Sequence, residues 1–79
     1  FLGGKYNDAE KYMRRAIELM PNDPIVNDHY GDILWRLNRK IQAKYFWNSV
    51  LKMEDAEKEM IEKIKVKLIN GLSKNNENL

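Results

Sequence analysis

The 79-residue chain has no cysteine and no threonine. Without thiols there is no disulfide, no cysteine-ligated zinc and no sulfur nucleophile, so packing alone, or packing with a neighbour, must hold the domain. A cysteine-free chain suits reducing and oxidising surroundings equally, which leaves its location open. β-Branched residues are scattered and alternation of apolar with polar residues never persists, so β-structure has no foothold. The single histidine, His29, stands beside Asp28 and three residues before Asp32, with no second histidine and no nucleophile to complete a metal or acid–base site. No metal, cofactor or catalytic residue is expected, and the chain does not read as an enzyme. No apolar run approaches the ~20 residues of a membrane span, so direct insertion is not expected. Charge of neither sign dominates: 14 Lys and Arg against 12 Asp and Glu give +2, too even a balance to predict a nucleic-acid partner.

A chain this short forms one small domain and buries only about 60% of its unfolded surface. It opens Phe1, Leu2, Gly3, Gly4, two glycines after two apolar residues, which reads as an element cut in half and the chain as a fragment of something longer. Four segments then carry helical spacing. The first, 7–20, sets Ala9, Met13, Ala16, Ile17 and Met20 on one face and ends at Pro21. Asp23 before Pro24 is a strong start signal, because the carboxylate accepts from free first-turn amides and proline has no amide to leave unpaired. The second helix carries Val26, Tyr30, Ile33, Leu34 and Leu37. The third, 40–53, turns Ala43, Phe46, Trp47, Val50 and Leu51 inward. A fourth is expected to be capped by Asp55, to bury Met60, Ile61, Ile64 and Leu68, and to end at Gly71, the residue most tolerant of a left-handed terminus. Residues 73–79 contain little to bury and read as a disordered tail.

Shifted by 34 residues, the sequence aligns with itself. Ala9 falls on Ala43, Tyr12 on Phe46, Met13 on Trp47, Ala16 on Val50, Ile17 on Leu51 and Leu19 on Met53, with size or polarity class kept at each pair, while Lys11 on Tyr45 and Pro21 on Asp55 are not conservative. Two helices in such a period point to stacked helical hairpins, each too thin to bury its apolar face alone. Gly31 in mid-helix costs about 1 kcal/mol against alanine. That loss is reasonable where a partner helix must come close, and Ala43 is small on the opposite side. A turn glycine splitting the second helix is the duller alternative.

From Pro24 to Glu57 the pattern resembles the tetratricopeptide repeat, with Tyr30-Gly31 where Leu-Gly is favoured, Leu34 where Tyr is, Ala43 on Ala and Trp47 on Phe. Ala9, Met13, Ala16 and Pro21 match the second half of a preceding copy, and Val50 falls in step with Ala16. Asn27 in place of Trp is expected to loosen one packing site, and Asp55 in place of Pro suits the end of an array. The expected fold is all-α, an α-solenoid of antiparallel hairpins spanning 4–72: the second half of a repeat (4–23), a full hairpin (24–54) and a capping helix (55–71). That last helix does not read as a good third repeat, since Lys65 would occupy the glycine site and Asp55 would start it about two residues early. The whole looks like the C-terminal end of a bacterial repeat protein.

The resemblance implies a protein- or peptide-binding scaffold whose groove is lined by the first helix of each hairpin, here by Ile25, Asp28, Asp32, Trp35 and Arg36. Trp35 is the candidate hot spot, with a core tryptophan as its alternative reading. Asp28 and Asp32 would repel the carboxylate-ended peptides some of these domains clamp, so a basic or apolar segment suits the groove better. Arg36, Arg39, Lys40 and Lys44 cluster around the hairpin turn, either as a phosphate contact or as solvated charge. The rival readings are a structural or self-associating segment and the accessory tail of a larger enzyme.

Overall fold

The computed structural model describes residues 2–72, with side chains from residue 5 onward; the tail expected to be disordered, 73–79, lies outside the described residues. These residues form four helices and no strand: α1 (Leu2–Leu19), α2 (Pro24–Arg36), α3 (Lys40–Leu51) and α4 (Lys58–Asn70). The class is all-α, as expected. None of the described helices is long and apolar enough to cross a membrane.

Helix α1 starts well before residue 7 and runs through Gly3 and Gly4. Glycine weakens a helix by about 1 kcal/mol without forbidding it, so the pair does not mark a break. The helix stops at Leu19, because Pro21 disfavours helical geometry in the residue before it. Helix α2 begins as its sequence dictates: Asp23 is extended, and its Oδ1 accepts from the Val26 amide at 3.0 Å ahead of Pro24. It ends in a tight turn in which Asn38 adopts a φ of 65° and the Arg39 amide donates to the Leu34 carbonyl at 2.9 Å. Asparagine tolerates that left-handed conformation better than most residues.

Two expectations about α4 are corrected. Its N-cap is Glu57 and not Asp55, and no side chain caps it. Ala56, packed against the core, draws the chain inward after Asp55, and the first helical turn closes only with the Ile61 amide on the Glu57 carbonyl at 3.0 Å. The later start also puts α4 back in step. Lys58 lies 34 residues after Pro24, and both helices have 13 residues. Ile64 and Leu68 therefore take the places of Tyr30 and Leu34, and Ile64 is fully buried. Gly71 follows with a φ of 70°, supplying the positive-φ terminus expected of it.

The core is built from Tyr30, Leu34, Ala43, Trp47, Val50 and Ile64, contributed by α2, α3 and α4. Met13 and Ile17 pack against it from α1. Asn27 does not loosen the packing as expected. It is buried, and its side-chain amide donates to the carbonyls of Pro21 at 3.0 Å and Asp23 at 2.8 Å, tying the α1–α2 turn to α2. A tryptophan there would have no such reach.

Gly31 and Ala43 meet as expected. A Cβ on Gly31 would overlap the Nε1 of Trp47 and lie 3.1 Å from the Ala43 carbonyl oxygen. The indole cannot swing aside, being fully buried, stacked on Trp35 with centroids 5.5 Å apart, and bonded through Nε1 to Asp32 at 3.1 Å. Overpacking costs about 1–3 kcal/mol and exceeds the helix propensity that alanine regains, under about 1 kcal/mol. Gly31→Ala should therefore lower the urea midpoint of unfolding, and Gly31→Leu should lower it further. An unchanged midpoint for both would refute the close crossing.

Candidate functional site

Asp28 and Asp32 lie one helical turn apart on α2, and Trp35 follows on the same side. Facing them is not solvent but Lys67 of α4. Its ammonium donates to Asp28 Oδ1 at 2.6 Å and to Asp32 Oδ1 at 2.8 Å, and sits 5.4 Å from the centre of the Trp47 ring. Two carboxylates and an aromatic face make a site for one ammonium group, and the chain fills it itself. Burial raises the pKa of Asp32 above the ordinary 3.8, outweighing the bonds from Lys67 and Trp47, while the neighbouring charge of Asp28 adds to the rise. Burial also disfavours the charged form of Lys67, but the bonds to Asp28 and Asp32 prevail and hold its pKa above 10.5. The two shifts run the same way, upward for Lys67 and upward for Asp32.

Trp35 is half-buried rather than free. It stacks on Trp47, carries the Lys40 ammonium 4.9 Å above its ring, and presses its six-membered ring on Gly71, where any Cβ would overlap Cζ2. Gly71 is thus required twice, by its φ and by the indole. Arg36 is half-buried beside it. Ile25, by contrast, is 55% exposed. It opens on a pocket of about 360 Å³ between the first turns of α2 and α4, lined by Asp23, Pro24, Asp55, Glu57 and Met60 as well. Four of the five groove residues therefore fall into two groups. Asp28, Asp32 and Trp35 hold α4, and Ile25 faces outward. Arg39, Lys40 and Lys44 are exposed around the α2–α3 turn, and His29 is exposed, with no group of three His, Asp or Glu side chains among the described residues placed to hold a metal ion.

A second polar cluster escaped the sequence reading. Glu10 of α1 is only 5% exposed and accepts from Arg14 Nε at 3.0 Å, Arg14 Nη2 at 2.6 Å and the Tyr30 hydroxyl at 2.7 Å, with Arg39 Nη1 3.8 Å away. The bonds from Arg14 lower the pKa of Glu10, burial opposes them, and the Tyr30 bond and the charges of Arg14 and Arg39 complete the shift below 4.5. Burial, then Glu10, raise that of Tyr30. One signal was there: Glu10 interrupts the stripe that continues to Met13 and Ile17, and an acid in an apolar stripe needs partners. Lys67, bracketed by Val66 and Leu68, gave a weaker one.

Two outcomes follow from these contacts. Lys67→Met leaves a pair of half-buried carboxylates without their cation and should cost about 2 kcal/mol in chemical unfolding; adding Asp32→Asn should return part of it. Equal stability of Lys67→Met and the parent would show that the contact contributes nothing. The folded pKa of Glu10 is depressed, so its contribution is complete above the ordinary value of 4.5 and is lost as pH falls through the lower folded value. Stability profiles against pH should lose that acid limb in Glu10→Gln, and an identical limb in both proteins would contradict the assignment.

No known protein family model, no curated protein and no solved structure matches this chain, so its function rests on the disposition of its own side chains.

Proposed function

We propose that the chain is a protein-interaction module of stacked helical hairpins, tetratricopeptide-like in form, with one and a half repeats and α4 closing the last hairpin. The 34-residue step from α2 to α4, with Ile64 buried at the position of Tyr30, supports that form. Its work is to bind a basic segment of another protein. The observation that carries this reading is the pocket at Ile25. Three acids, Asp23, Asp55 and Glu57, surround the apolar side chains of Ile25 and Met60. An extended peptide with one Lys or Arg and a neighbouring Leu or Ile fits it: the apolar side chain enters between Ile25 and Met60, and the cation meets the acidic rim. Asp28, Asp32 and Trp35 contribute by fixing α4, and with it one wall of the pocket.

The apolar anchor dominates in this arrangement. Exposed ion pairs contribute about 0–1 kcal/mol, whereas a central apolar anchor reaches 2 kcal/mol or more. A labelled array of short peptides, read by fluorescence anisotropy, should show saturable binding of members that combine a cation with a branched apolar residue. Ile25→Arg should weaken it by about tenfold or more, and Asp55→Asn by no more than about fivefold. Equal binding of acidic control peptides, or indifference to Ile25→Arg, would overturn the proposal.

A further inference from the structure

The 34-residue step gives each helix a counterpart. Helix α4 is in step with α2, and α1 is in step with α3, Ala9 on Ala43 and Tyr12 on Phe46. The central pair therefore shows what each type does with its faces. In α3, Phe46 packs edge-on against Tyr30 of α2 with centroids 4.7 Å apart, and Ala43 lies under Gly31. Among the described residues, no α2-like helix lies on the same face of α1. Tyr12, at the place of Phe46, is 77% exposed, and Leu19, at the place of Met53, is 70% exposed. No described helix lies on α4 as the complementary partner. Ile69 stands where Trp35 does on α2, yet it is 81% exposed, and Ile61 and Leu68 beside it are half-covered.

Each end of the described residues thus presents half of an α2–α3 pair: an α3-type face without its α2-type helix, and the reverse. We propose that the outer face of α4 in one copy docks on the Ala9–Tyr12–Leu19 face of α1 in a second copy, antiparallel, as α2 docks on α3. The occupant is another copy because the two faces correspond to the two sides of an interface already formed inside the molecule. Ala9 is as small as Ala43, so α1 adds no bulk at the crossing. Lys65 takes the place of Gly31, but the residue it meets is in step with Trp47 and is a flexible methionine, Met13, so the lysine stem lies along the contact with its ammonium in water. A head-to-tail contact of this kind leaves one face of each type free on a pair of copies, so further copies add to it, into an open array or a ring. The surface differs from the peptide pocket at Ile25, and failure of either proposal leaves the other standing.

Sedimentation equilibrium of the 79-residue chain, from about 10 μM to about 1 mM, covers the affinities expected of a small interface. The expected result is a mean mass that climbs from 9.4 kDa past that of a dimer. Tyr12→Glu blocks one end and Ile69→Glu the other; both positions are exposed, and far-UV circular dichroism checks that both variants fold. Each alone should associate at least about tenfold more weakly than the parent. Their equimolar mixture should form a dimer and nothing larger, since the first variant keeps a working α4 and the second a working α1. A parent that stays at 9.4 kDa throughout, one that stops at dimer, or variants that fail to complement when mixed would each overturn head-to-tail docking. In the first case the α1 face belongs to a different protein or an adjoining segment; in the second the contact is two-fold symmetric.

Discussion

The indole of Trp47 is the group on which the other elements depend. It leaves α3, lies across the bare backbone of Gly31 on α2, bonds to Asp32, stacks on Trp35 and lies beneath the ammonium of Lys67 from α4. Three helices are thereby fixed by one side chain with no exposed surface. Such a large ring fits in so thin a domain only because one neighbour has no Cβ. The helix propensity lost at Gly31, about 1 kcal/mol, is small beside the 3–5 kcal/mol typical of truncating a buried aromatic residue. The Trp35 ring transmits the same arrangement outward to Gly71, so the end of α4 is placed by a stack that begins in the core.

Polar groups locate what the apolar groups hold. Asn27 fastens the α1–α2 turn, Glu10 joins α1 to Tyr30, and Lys67 joins α4 to α2. Apolar contact is indifferent to small slides of one helix along another. A hydrogen bond to a buried group is not, because breaking it leaves that group unpaired at a cost of about 1–3 kcal/mol. In a domain that buries so little surface, these three ties fix the positions of the helices along one another.

These ties also divide the surface by role. The acids expected to meet a ligand are engaged with Lys67, and the same chemistry that would recognise a lysine of another protein serves to seat α4. The recognition proposed above falls to exposed side chains: Ile25 in its acidic pocket, Tyr12 and Leu19 on α1, Ile69 on α4. Ile25, Tyr12, Leu19 and Ile69 are therefore positions where substitution changes association without unfolding the domain, whereas Asp23 and Met60 beside Ile25 also cap α2 and pack on the core.

Several helix ends were legible in the sequence because they rest on local physics: the Asp23-Pro24 start, the stop before Pro21, and Gly71 at a positive φ; so was the apolar spacing that brought Tyr30, Leu34, Ala43, Trp47 and Val50 inside, whereas α1 begins at Leu2 and α3 ends at Leu51, not at the expected 7 and 53. The small pair Gly31 and Ala43 was legible as well, since an isolated glycine inside an unbroken stripe has few other uses. The start of α4 was not, because Asp55 is as good a cap locally as Glu57, and the choice fell to the packing of Ala56. Nor were the partners of the charged residues. Asp28 and Asp32 advertise an open acidic face when only their own helix is considered, and Glu10 shows no more than a local pairing with Arg14. Lys67 lies 39 residues from Asp28, and Tyr30 lies 20 from Glu10. Spacing along a helix fixes which side a residue faces. What stands on that side is decided only when the helices pack, since a charge in water has no preferred partner until burial removes the water.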